Sequence, residues 1–355
     1  MTDHQHQENR LVSIDIARGL GIILVVLGHT VRPGMLDIPW CNFFFQLIYS
    51  FHMPLFFVLS GYTFALTYGK YLNKPALFAK KKIKSLLIPL LTWATMVYLF
   101  FFVAYSIPRL SALLSSADFE MVNPLYYLYL MFVWENPYAA HLWFIWVLLA
   151  ITLIAFGFAK LTKDSPRWPL LLTFIAIPCY LVAILFNPPT AIYKILFYLL
   201  FFALGILIAK FSSFFMKESR LSTISSLIGC VVLVTVSLLI VLKLIPQRGL
   251  WLDLQTVVQT VAVFPTILGM LHLCKRITRL TLLQKLGRDS FAIYLLHQPF
   301  CCGFAGILLY NFLGLSALIV IAVCTILSFL VPYAVIYLAA RVRWIGKIAR
   351  LLLNI

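Results

Sequence analysis

Long apolar runs constrain this chain more than any other feature: they recur from Leu11 to Ala340 with only short polar breaks. A helix rises 1.5 Å per residue, so ~20 apolar residues cross the ~30 Å hydrocarbon core of a bilayer. Lipid offers no hydrogen bonds to the backbone, and a helix satisfies its N–H and C=O groups within its own segment. The expected fold is therefore all-α and membrane-embedded, with about ten transmembrane helices near residues 11–31, 43–68, 83–106, 139–161, 168–186, 191–211, 222–245, 254–274, 288–310 and 314–340. Two soluble domains would fit 355 residues by length, but 63% hydrophobic and 11% charged residues exclude them. The remaining long connection, 107–138, carries Asp118, Glu120 and Glu135 around an apolar stretch from Pro124 to Trp134 that reads as an interfacial or re-entrant helix. The expected organisation is an N-terminal tail (1–10), one transmembrane domain (11–340) and a basic C-terminal tail (341–355).

The formal net charge of +17 does not indicate nucleic acid, because the basic residues are scattered between apolar spans. They alternate by loop. One set of loops and tails holds Arg10; Lys70, Lys74, Lys80, Lys81, Lys82 and Lys84; Lys160, Lys163 and Arg167; Lys210, Lys217 and Arg220; Lys275, Arg276, Arg279, Lys285 and Arg288; and Arg341, Arg343, Lys347 and Arg350. The opposite loops hold only Arg32, Arg109, Lys194, Lys243 and Arg248. Positive charge is retained on the cytoplasmic side, so both termini are expected there. The seven cysteines show neither CxxC nor Cys/His metal spacing, and no metal site or disulfide framework is expected. No basic leader or small-residue cleavage pattern surrounds the first span, which reads as retained.

A charge in the hydrocarbon region costs at least ~2.5–3.5 kcal/mol and asks for a reason. Asp15 is the acid that lies well within a span, and Arg18, three residues on, shares its helix face. His29 follows Arg18 by eleven residues, which returns to within ~20° of that face about 16 Å along the axis. Two readings stay open. One is a structural ion pair near the interface with a histidine that reaches water; the other, favoured by the common register, is a functional polar stripe. In the second span, His52 precedes Pro54, whose missing N–H loosens the turn, while Ser60-Gly61 reads as a helix-packing step. His141 and Trp143 open the fourth span, and Tyr294 and His297 lie in the ninth, just before Pro299. Trp143 alone would be an interfacial aromatic, and a satisfied core histidine is an open reading of His297. Lys80, Lys81, Lys82 and Lys84 are explained by orientation and anionic lipid, and would also make a phosphate-attracting mouth.

Taken in order, Ser13-Ile14-Asp15-Ile16-Ala17-Arg18-Gly19, Val25-Val26-Leu27-Gly28-His29, Phe51-His52-Met53-Pro54-Leu55-Phe56-Phe57 through Ser60-Gly61-Tyr62, His141-Leu142-Trp143-Phe144 and Ile293-Tyr294-Leu295-Leu296-His297 resemble acyltransferase family 3. The resemblance implies O-acyl transfer, most simply of an acetyl group, from cytoplasmic acetyl-CoA to a hydroxyl of an extracytoplasmic glycan such as lipopolysaccharide O-antigen. It also implies a bacterial inner membrane, a glycan or lipid-linked oligosaccharide as acceptor, membrane lipids as surroundings, and no permanently bound cofactor. The family's functional pair, an Arg or Lys eleven residues before a His, maps onto Arg18 and His29. With Asp15 orienting Arg18, these three form the expected catalytic set. His29 acts as general base or transient acyl carrier. Lys80, Lys81, Lys82 and Lys84 would hold the CoA phosphates, and His52, Ser60, His141, Trp143, Tyr294 and His297 would bind or support the acceptor. One departure matters: relatives often carry arginines in the segment of these lysines, and lysine cannot make a bidentate phosphate fork. The rival class is a transporter or flippase of a sugar or lipid-linked glycan, since charge pairs and proline-broken helices also line translocation paths. No internal symmetry favours it.

Overall fold

The computed structural model of the chain describes residues 3–115, 121–132, 139–341 and 353. Ten of its helices are long and apolar enough to cross a membrane: α1 (Val12–Thr30), α2 (Pro39–Tyr71), α3 (Pro75–Tyr105), α4 (Ala140–Leu161), α5 (Trp168–Phe186), α6 (Thr190–Lys210), α7 (Arg220–Val241), α8 (Gly249–Arg276), α9 (Ser290–Phe312) and α10 (Ala317–Ala339). Each coincides with one expected span, and no strand occurs among the described residues. The protein is a polytopic, all-α membrane protein. Large apolar side chains such as Phe174 (74% exposed) and Leu227 (61% exposed) lie on the outside, the arrangement lipid permits and water does not.

Local chemistry sets the helix ends. Proline opens α2 and α3 at the first helical position, where its missing N–H would have no intrahelical partner. Ser219 caps α7 by accepting from the Ser222 N–H at 3.1 Å while the Ser222 hydroxyl accepts from the Ser219 N–H at 3.2 Å. The helix of α1 extends N-terminally to Asp3, so residues 3–10 of the expected N-terminal tail are helical. Of the expected C-terminal tail, all but Arg341 and Leu353 lies outside the described residues, as do Asp118, Glu120 and Glu135. The long connection contains two short helices, Pro108–Ser115 and Pro124–Phe132.

The lysine segment differs from expectation. Lys80, Lys81 and Lys82 are not loop residues: they close the helix Pro75–Lys82 at the start of α3, and Lys84 sits in a π turn, Ile83–Leu87, which links it to Ile88–Tyr105. Lys194, counted with the loops above, lies in the second turn of α6. Lysine is itself a good helix former, so the backbone bonds continue through the charged positions.

The chain divides into two compact units. One comprises Met1–Gly69, Phe158–Phe186 and Leu196–Ser290; the other comprises Lys70–Gly157, Asn187–Ile195 and Phe291–Ile355. In the first unit, α2 and α6 meet reciprocally. Gly61 faces the carbonyl of Phe202, Gly205 faces the carbonyl of Val58, and a Cβ at either would collide with that backbone. Small residues thus let the two backbones touch, which is how membrane helices gain packing without a hydrophobic drive. The second unit has aromatic contacts, with Phe78 stacked on Phe156 at 4.0 Å and the Tyr127 hydroxyl donating to the Ala94 carbonyl at 2.9 Å. Its α9 is irregular: helical at Ser290–Leu296, then π-helical at His297–Phe304 with Gln298 extended at φ −120, ψ 147.

Candidate active site

In the first unit the expected ion pair forms, with Arg18 Nη1 lying 3.7 Å from Asp15 Oδ1. Arg18 Nη2 donates to Thr63 Oγ1 of α2 at 3.2 Å, and Thr63 donates onward to the carbonyls of Leu59 (3.0 Å) and Ser60 (3.1 Å). The guanidinium is therefore held by two helices. The side chains of Asp15 and Arg18 keep 24% and 29% of their surface exposed. Ser60 contributes its carbonyl to this arrangement, and neighbouring Gly61 carries the helix contact.

The far end of α1 carries His29. Gly28 beside it meets Tyr49 at 3.2 Å and Ile48 at 3.1 Å from where a Cβ would stand, so its bare backbone makes room for the tyrosine ring. The Tyr49 hydroxyl lies 3.4 Å from His29 Nδ1, and the same ring packs edge-on against His52 at 4.9 Å between centroids. His29 is half-buried, whereas His52 is only 2% exposed. His52 Nδ1 lies 2.7 Å from the Ile48 carbonyl; with its proton there it donates one turn back along α2. The helix runs from Pro39 to Thr67 through Pro54. One tyrosine bridges two histidines.

In the second unit, His141, Tyr294 and His297 come together. The imidazoles lie 5.6 Å apart, the Tyr294 ring is 5.6 Å from His141 and 6.0 Å from His297, and the Tyr294 hydroxyl donates to the His141 carbonyl. His297 Nδ1 faces the carbonyls of Tyr294 (2.7 Å) and Ile293 (3.1 Å), the pattern of a histidine secured by its own helix. Trp143 is covered on one face by the Lys194 ammonium, 4.7 Å from the ring centroid. Lys81 donates to the Tyr71 hydroxyl at 3.1 Å, and Lys70 and Lys81 both approach that ring. Lys82 lies over Phe78. The ammonium groups of Lys70 and Lys81 near Tyr71, that of Lys82 over Phe78 and the exposed Lys80 and Lys84 gather positive charge in one segment. Among the described residues no three His, Cys, Asp or Glu side chains gather as a metal site.

Comparison with known proteins decides the family. Residues 11–337 match the acyltransferase family 3 model, described as an acyltransferase domain. The chain belongs to acyltransferase family 3. It is similar to two curated proteins named Nodulation protein NolL. That of Mesorhizobium japonicum is 38% identical over 96 residues, 25% of this chain and 24% of that protein. That of Sinorhizobium fredii is 39% identical over 93 residues, 25% of each. The matched stretch thus spans about a quarter of those relatives' length. No solved structure matches. The candidate residues of this family 3 acyltransferase domain are of two kinds. Asp15, Arg18, His29, His141 and His297 stand out in the sequence as polar groups in apolar runs. Tyr49 and Thr63 do not: the only sequence signal for Tyr49 is its place three residues before His52, and Thr63 is marked by nothing until α1 and α2 pack.

Proposed function

We propose that the protein transfers an acetyl group from cytoplasmic acetyl-CoA to a hydroxyl of an extracytoplasmic glycan, with lipopolysaccharide O-antigen as the representative acceptor, across a bacterial inner membrane. The observation that carries this reading is the position of His29: a half-buried imidazole held against a tyrosine, on the helix that carries the Asp15–Arg18 pair. Family membership supports acyl transfer as the chemistry.

In this reading both termini are cytoplasmic, the Arg18 end of α1 faces the donor and the His29 end faces the acceptor. Lys80, Lys81, Lys82 and Lys84 attract the CoA phosphates, and the pantetheine arm carries the thioester toward His29. With Nδ1–H directed at the Tyr49 oxygen, Nε2 bears the lone pair and takes the proton of the sugar hydroxyl as its oxygen attacks the thioester carbonyl. Collapse of the tetrahedral intermediate breaks the C–S bond. The CoA thiolate leaves with the proton from the imidazolium, and the ester stays on the sugar. Asp15 orients Arg18 and not His29, since fourteen residues of α1 separate them by about 21 Å. His52, Ser60, His141, Trp143, Tyr294 and His297 shape and support the acceptor side.

The test is transfer of labelled acetyl from acetyl-CoA into membrane glycans. His29→Ala inserts normally and loses about 10²–10⁴-fold in rate, the usual worth of a positioned general base. Undiminished transfer would refute the assignment, and movement of unmodified sugar across vesicles without labelling would select transport.

A further inference from the structure

The eight-residue helix Thr281–Arg288, between α8 and α9, lies along α1 with backbones in contact. A Cβ on Gly19 would strike the carbonyl of Leu283, and one on Gly287 would strike the carbonyl of Asp15. The two contacts are one turn apart on each helix and run in opposite order, so they fix an antiparallel register. Leu286 and Gly287 are buried in it, while Arg288, the next residue, is exposed. Its backbone is thus pinned beside Asp15, close enough for its charge to act on the Asp15 carboxylate.

Two guanidinium groups therefore act on one carboxylate, Arg18 through its ion pair and Arg288 through its charge, leaving an excess of positive charge. Arg18 commits Nη1 to Asp15 and Nη2 to Thr63. A guanidinium carries five donors, so it retains capacity for an anion. Lys80, Lys81, Lys82 and Lys84 supply charge but no planar fork; arginine supplies the fork that matches phosphate.

We propose that Arg288, together with Arg18, binds a phosphate group of the acyl donor, with Asp15 holding the two guanidinium groups in register. This rests on the acetyl-CoA reading above. The short helix is then a positioning element: it carries an arginine to the donor end of α1 from a place far away in sequence. A lipid headgroup offers the same phosphate chemistry, so the experiment separates the two sources.

The experiment is titration of CoA into purified full-length protein in phosphatidylcholine nanodiscs, compared with R288Q and R288K, with melting temperature measured alongside. Both variants are expected to bind CoA about tenfold more weakly, the loss of a charge-assisted bidentate contact, with unchanged melting. Should R288Q melt early, R288K, which keeps the charge, carries the test. Wild-type affinity in R288K means that a point charge suffices and overturns the proposal, as does unchanged affinity in both. A loss seen only when phosphatidylglycerol is added to the nanodiscs assigns the arginine to lipid and also overturns it. If the wild type itself binds no CoA, the acetyl-CoA reading falls and this assignment with it; if the wild type binds and the variants match it, only Arg288 is refuted.

Discussion

Tyr49 touches two histidines, and removing its hydroxyl separates their roles. In Tyr49→Phe the ring contact with His52 persists, while the 3.4 Å approach to His29 Nδ1 is lost. A single neutral hydrogen bond contributes about 1 kcal/mol net. The expected outcome is a roughly fivefold fall in transfer rate with donor KM unchanged, measured with labelled acetyl-CoA; a rise in KM alone would place Tyr49 in donor binding. The residue scale also shows what the sequence made legible. Asp15, Arg18 and His29 are readable because a charged or ionisable group in an apolar run costs energy and so marks itself. Tyr49, Thr63 and Arg288 carry no such mark. Tyrosine and threonine are ordinary in membrane helices, and Arg288 reads as one more orienting charge. They acquire meaning through the packing of α1 against α2 and against the short helix.

At the scale of elements, glycine contacts fix the frame that holds the site. The meeting of α2 and α6 places Gly61 one residue beyond Ser60 and two before Thr63, the threonine that receives Arg18. Gly205→Ala drives a methyl toward the Val58 carbonyl, and backbone cannot swing aside as a side chain does. The expected cost is about 1–3 kcal/mol, the usual range for overpacking. It is read as a lowered melting temperature in detergent, and unchanged melting would mean that the helices separate easily. Hydropathy made the ten spans legible because each is long enough to average over local polarity. It missed the helix Thr281–Arg288, which is eight residues long, has charges at Lys285 and Arg288, and depends on α1 for its partner. It also placed Lys80, Lys81 and Lys82 in a loop, because a hydropathy window ends where charge begins while a helix ends where its backbone bonds end.

For the whole molecule, the acyl-transfer reading requires an orientation, since donor and acceptor are proposed on opposite sides of the membrane. The sequence argues for it through charge: each Lys or Arg near an anionic leaflet is worth about 1 kcal/mol. Lysines and arginines crowd the connections around Lys74, Lys163, Lys217 and Arg279 and are sparse around Asp37 and Gln247. Asp37, Lys163, Lys217 and Gln247 are all exposed, so single cysteines there would be available to reagent. The native cysteines are free and must be removed first. In intact spheroplasts a membrane-impermeant maleimide should label Asp37→Cys and Gln247→Cys, and should reach Lys163→Cys and Lys217→Cys only after lysis. The reverse pattern would put the Arg18 end of α1 on the outer face, where cytoplasmic acetyl-CoA does not occur. His29 would then lie on the side of the donor and not of the glycan, and the proposed direction of transfer could not operate.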